Sequence, residues 1–397
     1  MSSERPSVAF IVGEFPKPSE TFILRELTEL ARRKLDFVIV ATGRLPDISE
    51  ADALSDRVIL RPPYFSPRSL AGEVRFMLTH PLRYFDVIFK LMGAHWRKLG
   101  ELLQVLANLP RAMALGYALR RRGVKRVHAM WASFPATLGW MMARGLGMTC
   151  SFSAHARDVH VEGRMLREKL RRADRAFVCN RSAAEQLAEI AGTRNARKIV
   201  LVHHGLDLDS LPKRAETPEK RILAAGRFER KKGFDVLIEA CRQLMRRGRE
   251  VPLTLVGDGP LKATLARASS DLPVTISPWM THDDLMHEIA SAGVVAVPSV
   301  IASDGDRDGI PNILVEAMAI GTPVVGSDVG GIGEVIHDGE TGRLVAPGEV
   351  EALAGAIAKM LDDESAAARM ASRASELVRR EFRIEDTVTT LQTLFAE

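Results

Sequence analysis

Two carboxylates, Asp308 and Glu316, stand at the ends of a seven-residue gap in the run Asp308-Gly-Ile-Pro-Asn-Ile-Leu-Val-Glu316. Pro311 and Asn312 suit the opening of a helix and Gly321 its end, so Glu316 is expected about one turn inside that helix and Asp308 in the loop before it. Such a pair can reach different parts of one long ligand, and amides at a helix start suit a phosphate. Upstream, Gly226-Arg227-Phe-Glu-Arg-Lys-Lys232-Gly233 places cations at a strand-to-helix turn. Arg227 and Lys232 are suited to neutralising a diphosphate, and cations fixed in advance stabilise the charge that grows on such a leaving group. Chemistry of this kind needs no metal. On its own the carboxylate spacing is common by chance, and its weight comes from the ordered set around it.

These residues need rigid supports, and the chain supplies two sets. In the second half, short β-branched runs at Ile222–Ala225, Leu253–Val256, Val274–Ser277, Val294–Val297, Pro323–Gly326 and Gly342–Val345 alternate with helical stretches at Phe234–Arg247, Leu261–Ser269, His282–Ser291, Asn312–Ile320 and Val350–Leu361. That alternation predicts parallel strands joined by helices. The first half repeats it less regularly, with strands near Val8–Val12, Phe37–Ala41, Val127–Met130, Cys150–Ser153, Ala176–Cys179 and Ile199–His203. The fold class is α/β: two Rossmann-like, doubly wound parallel-sheet domains facing a central cleft. The expected boundaries are 1–205 for the first domain, 206–380 for the second, and 381–397 for a helix packing back on the first. The joint falls in Gly205–Arg221, which carries two prolines and a charged run. Ligands of open parallel sheets bind beyond the carboxyl ends of the strands, where the chemistry-bearing residues lie.

Gly226-Arg227 followed by Lys232-Gly233, then Val256-Gly257-Asp258-Gly259-Pro260, Val297-Pro298-Ser299 and the stretch Asp308 to Glu334 together resemble the GT4 family of retaining, GT-B-fold glycosyltransferases, over essentially the whole second half. The family usually has glutamate at both ends of the seven-residue gap. Here the first is Asp308, one methylene shorter, so its reach to a sugar is expected to differ. The resemblance implies that Asp308 holds the donor sugar's hydroxyls, that Glu316 holds the ribose and that Arg227 and Lys232 hold the diphosphate. It further implies that amides around Gly309, Ile310, Asn312 and Ile313 line sugar and phosphate, and that Pro278 to Met280 lie against the base. Retention would proceed by attack on the face from which the nucleotide leaves, with no side-chain nucleophile, no cofactor and no metal. After the strand Cys150–Ser153 comes Ala154-His155-Ala-Arg157-Asp158. By resemblance His155 contacts the donor sugar and reacting centre; the alternative is a histidine satisfied locally by Asp158. His203 and His204 read as structural, as do the turn at Gly257 to Pro260 and the pair Gly330-Gly331.

The loop Gly13-Glu-Phe-Pro-Lys-Pro-Ser19-Glu20-Thr21-Phe-Ile resembles a subgroup seen in bacterial exopolysaccharide and lipopolysaccharide pathways, including colanic-acid-type transferases. Ser19, Glu20 and Thr21 are acceptor-side candidates, and Glu20 and Thr21 either cap the following helix or touch the acceptor.

Composition sets the surroundings. The chain has 397 residues, 46% of them hydrophobic and 26% charged, which describes a folded protein of two domains. Cys150, Cys179 and Cys241 lie far apart in apolar surroundings and read as buried free thiols of a reducing compartment. No segment approaches the ~20 apolar residues of a membrane helix, and the start lacks the flanks of a secretion signal; the expected location is cytoplasmic. Between Leu70 and Arg126, eleven Lys or Arg face three acids, an excess of eight, while the whole chain's net charge is +5. Interleaved with Phe76, Tyr84, Phe85 and Phe89, this basic stretch is either a solvated helix face or a seat on the anionic inner face of the cytoplasmic membrane. No nucleic-acid module is present. The expected function is transfer of a hexose from a UDP- or GDP-sugar to a glycan or lipid-linked acceptor. The alternatives are a nucleotide-sugar epimerase and a nucleotide-sugar-binding protein without turnover.

Overall fold

Along the strands of the second half, side chains alternate between two apolar layers. Ile222 and Ala224 pack with Leu253, Leu255, Val294 and Ala296 on one side of the sheet. Leu223 and Ala225 pack with Val256, Val295 and Val297 on the other. A period of two with both faces apolar is what a parallel sheet covered by helices requires.

The computed structural model describes residues 8–17, 20–43 and 49–396. Among the described residues there are thirteen strands: β1 Val8–Val12, β2 Phe37–Ala41, β3 Val58–Leu60, β4 Arg126–Ala129, β5 Thr149–Ala154, β6 Arg175–Val178, β7 Ile199–Leu201, β8 Glu219–Ala225, β9 Leu253–Val256, β10 Val274–Ser277, β11 Ala292–Val297, β12 Val324–Ser327 and β13 Arg343–Val345. They form a seven-stranded sheet in the order β3-β2-β1-β4-β5-β6-β7 and a six-stranded sheet in the order β10-β9-β8-β11-β12-β13. Every pairing is parallel. The strand order reverses between β1 and β4 in one sheet and between β8 and β11 in the other. Those are the points where loops diverge and leave room for a ligand.

The chain divides into two compact units. One comprises Met1–Cys179, Ala184–His204 and Glu385–Glu397; the other comprises Asn180–Ala183 and Gly205–Ile384. In the first unit the terminal helix Ile384–Ala396 sets Phe395 against Phe10 (ring centroids 5.6 Å apart), His128 (5.2 Å) and Phe177 (5.9 Å). Arg33 clamps that helix by donating to the Glu385 carbonyl at 2.8 Å. His128, fully enclosed here, meets the Ser151 and Ser153 hydroxyls at 2.9 and 3.1 Å. Burial pushes its pKa down to about 3, which keeps the ring neutral.

Several boundaries differ from expectation for physical reasons. Strand β8 starts at Glu219, inside the stretch read as linker, because Glu219 pairs its backbone with Ala292 while its charged side chain carries no apolar signal. Edge strand β3, three residues long, is too short to show a pattern. The helical tail is two helices, Glu364–Glu381 and Ile384–Ala396, interrupted where the Leu206 amide donates to the Phe382 carbonyl (2.7 Å) and the Ile384 amide to the Leu206 carbonyl (3.0 Å). Cys150 and Cys241 are buried, but Cys179 is only half-buried. No helix of the described residues is long and apolar enough to cross a membrane.

Candidate functional site

Strands β8 and β11 are neighbours at the reversal of the second sheet, and the loops leaving their carboxyl ends carry the candidate residues. After β8, Gly226 leads into the short turn Arg230–Lys232, which stops at Gly233. After β11, Pro298 and Ser299 begin a loop that reaches helix Asn312–Ile320. Lys232 Nζ donates to both carboxylate oxygens of Asp308, each at 2.9 Å, and Ser299 Oγ donates to Oδ2 at 2.7 Å. Beside them Lys231 pairs with Asp306 at 3.2 Å. Both aspartates are buried. Burial alone would raise the Asp308 carboxyl, but the Lys232 and Lys231 charges, with the hydrogen bonds from Ser299 and Lys232, hold it below the usual carboxylate range. Asp308 is therefore ionised and fully engaged, and it fixes the Lys232 ammonium in place.

Two glycines make this approach possible. Gly233 has φ 61°, and a Cβ there would lie 1.9 Å from the Pro298 carbonyl oxygen. Gly330 has φ 59°, and its Cβ would lie 2.0 Å from the Asp308 carbonyl oxygen. Any side chain at either position would push the two loops apart. Gly330, read from sequence as packing only, thus holds the backbone of the site carboxylate.

Helix Asn312–Ile320 opens after Pro311 at φ −65° and ends on left-handed Gly321, as the residue types require. Glu316 is buried within it. Ile310 and Ile313 turn into the apolar layer, and the Gly309 carbonyl accepts from the Gly331 amide at 3.1 Å. Asn312 is the first helical residue. Arg227, in contrast, is not drawn to the Lys232–Asp308 pair: it pairs with Glu229 at 3.0 Å with 54% of its side chain exposed. Trp279, after β10, is also exposed.

In the first unit His155 follows β5 at its carboxyl end and starts the short helix Ala156–His160. Its backbone amide donates to Asp158 Oδ2 at 3.0 Å, whereas its ring Nδ1 is 3.6 Å from that oxygen. Asp158 thus satisfies the backbone, and both ring nitrogens are buried without a hydrogen bond among the described residues. The ring is oriented by Trp131 (4.2 Å), Phe22 (5.2 Å) and a stacked His204 (5.2 Å, 16° between planes). His204 is itself tied to the buried Glu26, Nδ1 to Oε1 at 2.8 Å. Glu20 does not cap the helix Thr21–Arg32 with its side chain. It accepts instead from Lys17 Nζ (2.6 Å) and from the Trp131 indole (3.1 Å). Ser19 lies outside the described residues.

A family profile described as "Glycosyl transferases group 1" matches residues 219–363, the span that holds the Lys232–Asp308 site. The chain is 29% identical to the amylovoran biosynthesis glycosyltransferase AmsK of Erwinia amylovora, over 94% of this chain and 95% of that one. It is 32% identical to the alpha-D-kanosaminyltransferase of Streptomyces kanamyceticus, over 73% of this chain and 79% of that one. The chain belongs to the group 1 glycosyltransferases. Its fold is GT-B: Anabaena Alr3699/HepE, solved in complex with UDP and glucose, superposes with TM-score 0.70 at 16% identity, covering 98% of this chain and 99% of that one.

Four residues of the glycosyltransferase carry no individual sequence signal. Lys231 and Asp306 are a basic and an acidic residue among many until the fold pairs them. Glu26 sits on the buried side of an otherwise amphipathic helix, a hint available only once that side is known. Lys169 is buried with Nζ donating to the Ala132 and Ser133 carbonyls at 2.6 and 2.9 Å. Burial pushes its pKa down to about 8, against the pull of Asp158 and Glu162. It braces the loop that carries Trp131.

Proposed function

We propose that this glycosyltransferase moves a hexose, with retention and without a metal, from a UDP- or GDP-sugar to a lipid-linked glycan acceptor during cell-surface polysaccharide assembly, as a peripheral protein on the inner face of the cytoplasmic membrane. The observation that carries the reading is the Lys232 ammonium, fixed by the buried Asp308 carboxylate at the strand-order reversal of the second sheet. An ammonium donates three hydrogen bonds, and two go to Asp308, so the third is available to a phosphate oxygen. Held in place before reaction, it stabilises the charge developing on the departing diphosphate without reorganising. The amides opening helix Asn312–Ile320 add to this. Glu316 is assigned to the ribose, and the His155 ring nitrogens to the donor sugar. The acceptor oxygen attacks from the face the nucleotide leaves, and a donor phosphate oxygen takes its proton. The name of AmsK supports a polysaccharide product, and the UDP held by the Anabaena protein puts uridine donors first.

The test is the purified full chain with a panel of UDP- and GDP-sugars and a membrane lipid extract. Acceptor-dependent release of nucleoside diphosphate and a product with the donor's anomeric configuration are expected. Tight donor binding without acceptor-dependent turnover, or an epimerised donor without transfer, would overturn the reading.

A further inference from the structure

Among the described residues, fourteen of the seventeen exposed large hydrophobic side chains lie between Leu60 and Leu103. In helix Pro81–His95 and its cap Trp96 they form one stripe. At about 100° per residue, Leu82, Phe85, Phe89, Met92 and Trp96 fall within an arc of roughly 80°. The buried residues Val87, Leu91 and His95 occupy the opposite arc. Leu82 is 87% exposed, and Phe89 and Trp96 are each 66% exposed. The preceding helix, Pro67–Thr79, repeats the arrangement: Ser69, Gly72 and Phe76 face inward, while Leu70, Val74, Met77 and Leu78 face outward. A helix apolar on both faces is not made for water, and a surface this rich in apolar side chains marks an interaction site.

Charge says which partner. Arg68, Arg75, Arg83, Arg97 and Lys98 are all exposed around the ridge. The local acids are already engaged: Asp86 with Arg144 at 2.5 Å, Glu101 with Lys98 at 3.4 Å, and Glu73 with the Tyr84 hydroxyl at 3.1 Å. Next to Leu82 opens a cleft of about 370 Å³ whose lining includes Arg83, Arg144 and Arg172 against the single carboxylate of Asp86. Three guanidinium groups and one acid make a cationic pocket suited to a phosphate. A second copy seated on this ridge by two-fold symmetry would bring these same cations toward one another.

We infer that this face docks on an anionic phospholipid bilayer, with the ridge Leu82-Phe85-Phe89-Trp96 entering the hydrocarbon boundary and the Arg83–Arg144–Arg172 cleft taking a lipid phosphate. This gives the membrane part of the proposed function a defined surface. It also changes the expected character of binding. A purely electrostatic seat is lost in high salt, whereas a ridge of buried apolar side chains retains a salt-resistant component.

Co-sedimentation with vesicles of phosphatidylcholine containing about one-third phosphatidylglycerol, with no donor or acceptor present, tests this. Its outcome is therefore independent of turnover. Wild type is expected to bind, to keep part of that binding in molar salt, and to have Trp96 emission quenched by brominated acyl chains, a signal that Trp96→Phe removes. L82E/F89E changes only exposed positions and is expected to lower the partition coefficient at least hundredfold, at roughly tenfold or more per apolar side chain withdrawn. Arg83→Gln is expected to weaken binding to the anionic vesicles several-fold and to leave binding to phosphatidylcholine alone unchanged. Glycerol phosphate that competes for Arg83 without any vesicle binding would assign the cleft to a free phosphate and overturn the bilayer. So would a dimer in sedimentation equilibrium that L82E/F89E dissociates, or vesicle binding that L82E/F89E leaves intact.

Discussion

Lys232→Met removes the ammonium from Asp308 while keeping most of the side chain's length. The carboxylate left behind is buried, with one hydrogen bond, from Ser299, still in place. Removing one partner of a buried pair costs about 3–5 kcal/mol. Because 17% of the Lys232 side chain meets solvent and the Lys231 charge remains nearby, the lower end, about 3 kcal/mol, is expected. For a unit of this size that is a fall of roughly 6–12 °C in melting temperature. The pH dependence has a definite sign. In wild type the Asp308 pKa is depressed in the folded state, so its stabilisation is present above the unfolded carboxyl value of about 3.9 and is lost as pH falls through the folded value. In the variant, burial dominates and the folded pKa lies above the unfolded one. The penalty is then greatest near neutral pH and shrinks as acid protonates the carboxyl. The gap between the two proteins must therefore be widest near pH 7 and narrow towards pH 4. D308N/K232M, which buries no lone charge, is expected to recover most of the loss, giving a large coupling energy in the double-mutant cycle. Calorimetric melting across pH measures all of this. A variant within about 1 kcal/mol of wild type, or a gap that does not change with pH, would refute the claim that Asp308 is an ionised, buried partner of Lys232.

Asp308→Glu restores the more usual residue and keeps the charge; it is expected to retain turnover with an altered donor-sugar preference on a panel of donors, and behaviour like Asp308→Ala would contradict the assignment. Gly330→Ala places a Cβ on the Asp308 carbonyl oxygen and is expected to cost about 2 kcal/mol or more and to lower kcat/KM at least tenfold. Gly355→Ala, in helix Val350–Asp362 with open space around it, is the control and is expected to be neutral or stabilising. His204→Ala leaves the Glu26 carboxylate buried without its imidazole and is expected to destabilise by about 1–3 kcal/mol. The loss of the ring stacked on His155 should also lower kcat while leaving donor KM near wild type, and unchanged kcat would make the stack purely structural.

Much of the second unit was readable because its strands are buried on both faces and its helices are amphipathic or fully enclosed. Strands β9 and β10 and helices His282–Ser291 and Asn312–Ile320 fall on the residues expected. Charged ends of strands were not, as Glu219 shows, because backbone pairing needs no apolar side chain. The cationic stretch near residue 80 was visible as composition. Composition alone leaves a solvated face and a docking face equal, and only the packing of Phe76, Val87 and Leu91 inward reveals that Phe85 and Phe89 are left outside.

Residue type and order by themselves determined the two α/β units and the helix that begins beside Asn312, since these follow from periodicity and local backbone chemistry. Placing Asp308 and Lys232 in one candidate site rested instead on the ordered motifs and their resemblance to a family. Tertiary structure decided what these groups do to one another. Asp308 turned out to hold Lys232, Arg227 to pair with Glu229, and His155 to be oriented by Trp131 and by a histidine read as structural. The reason is one of distance. Lys232 and Asp308, His155 and His204, and Glu26 and His204 are about 50 to 180 residues apart along the chain and meet only in the folded unit, and local sequence carries no record of that convergence.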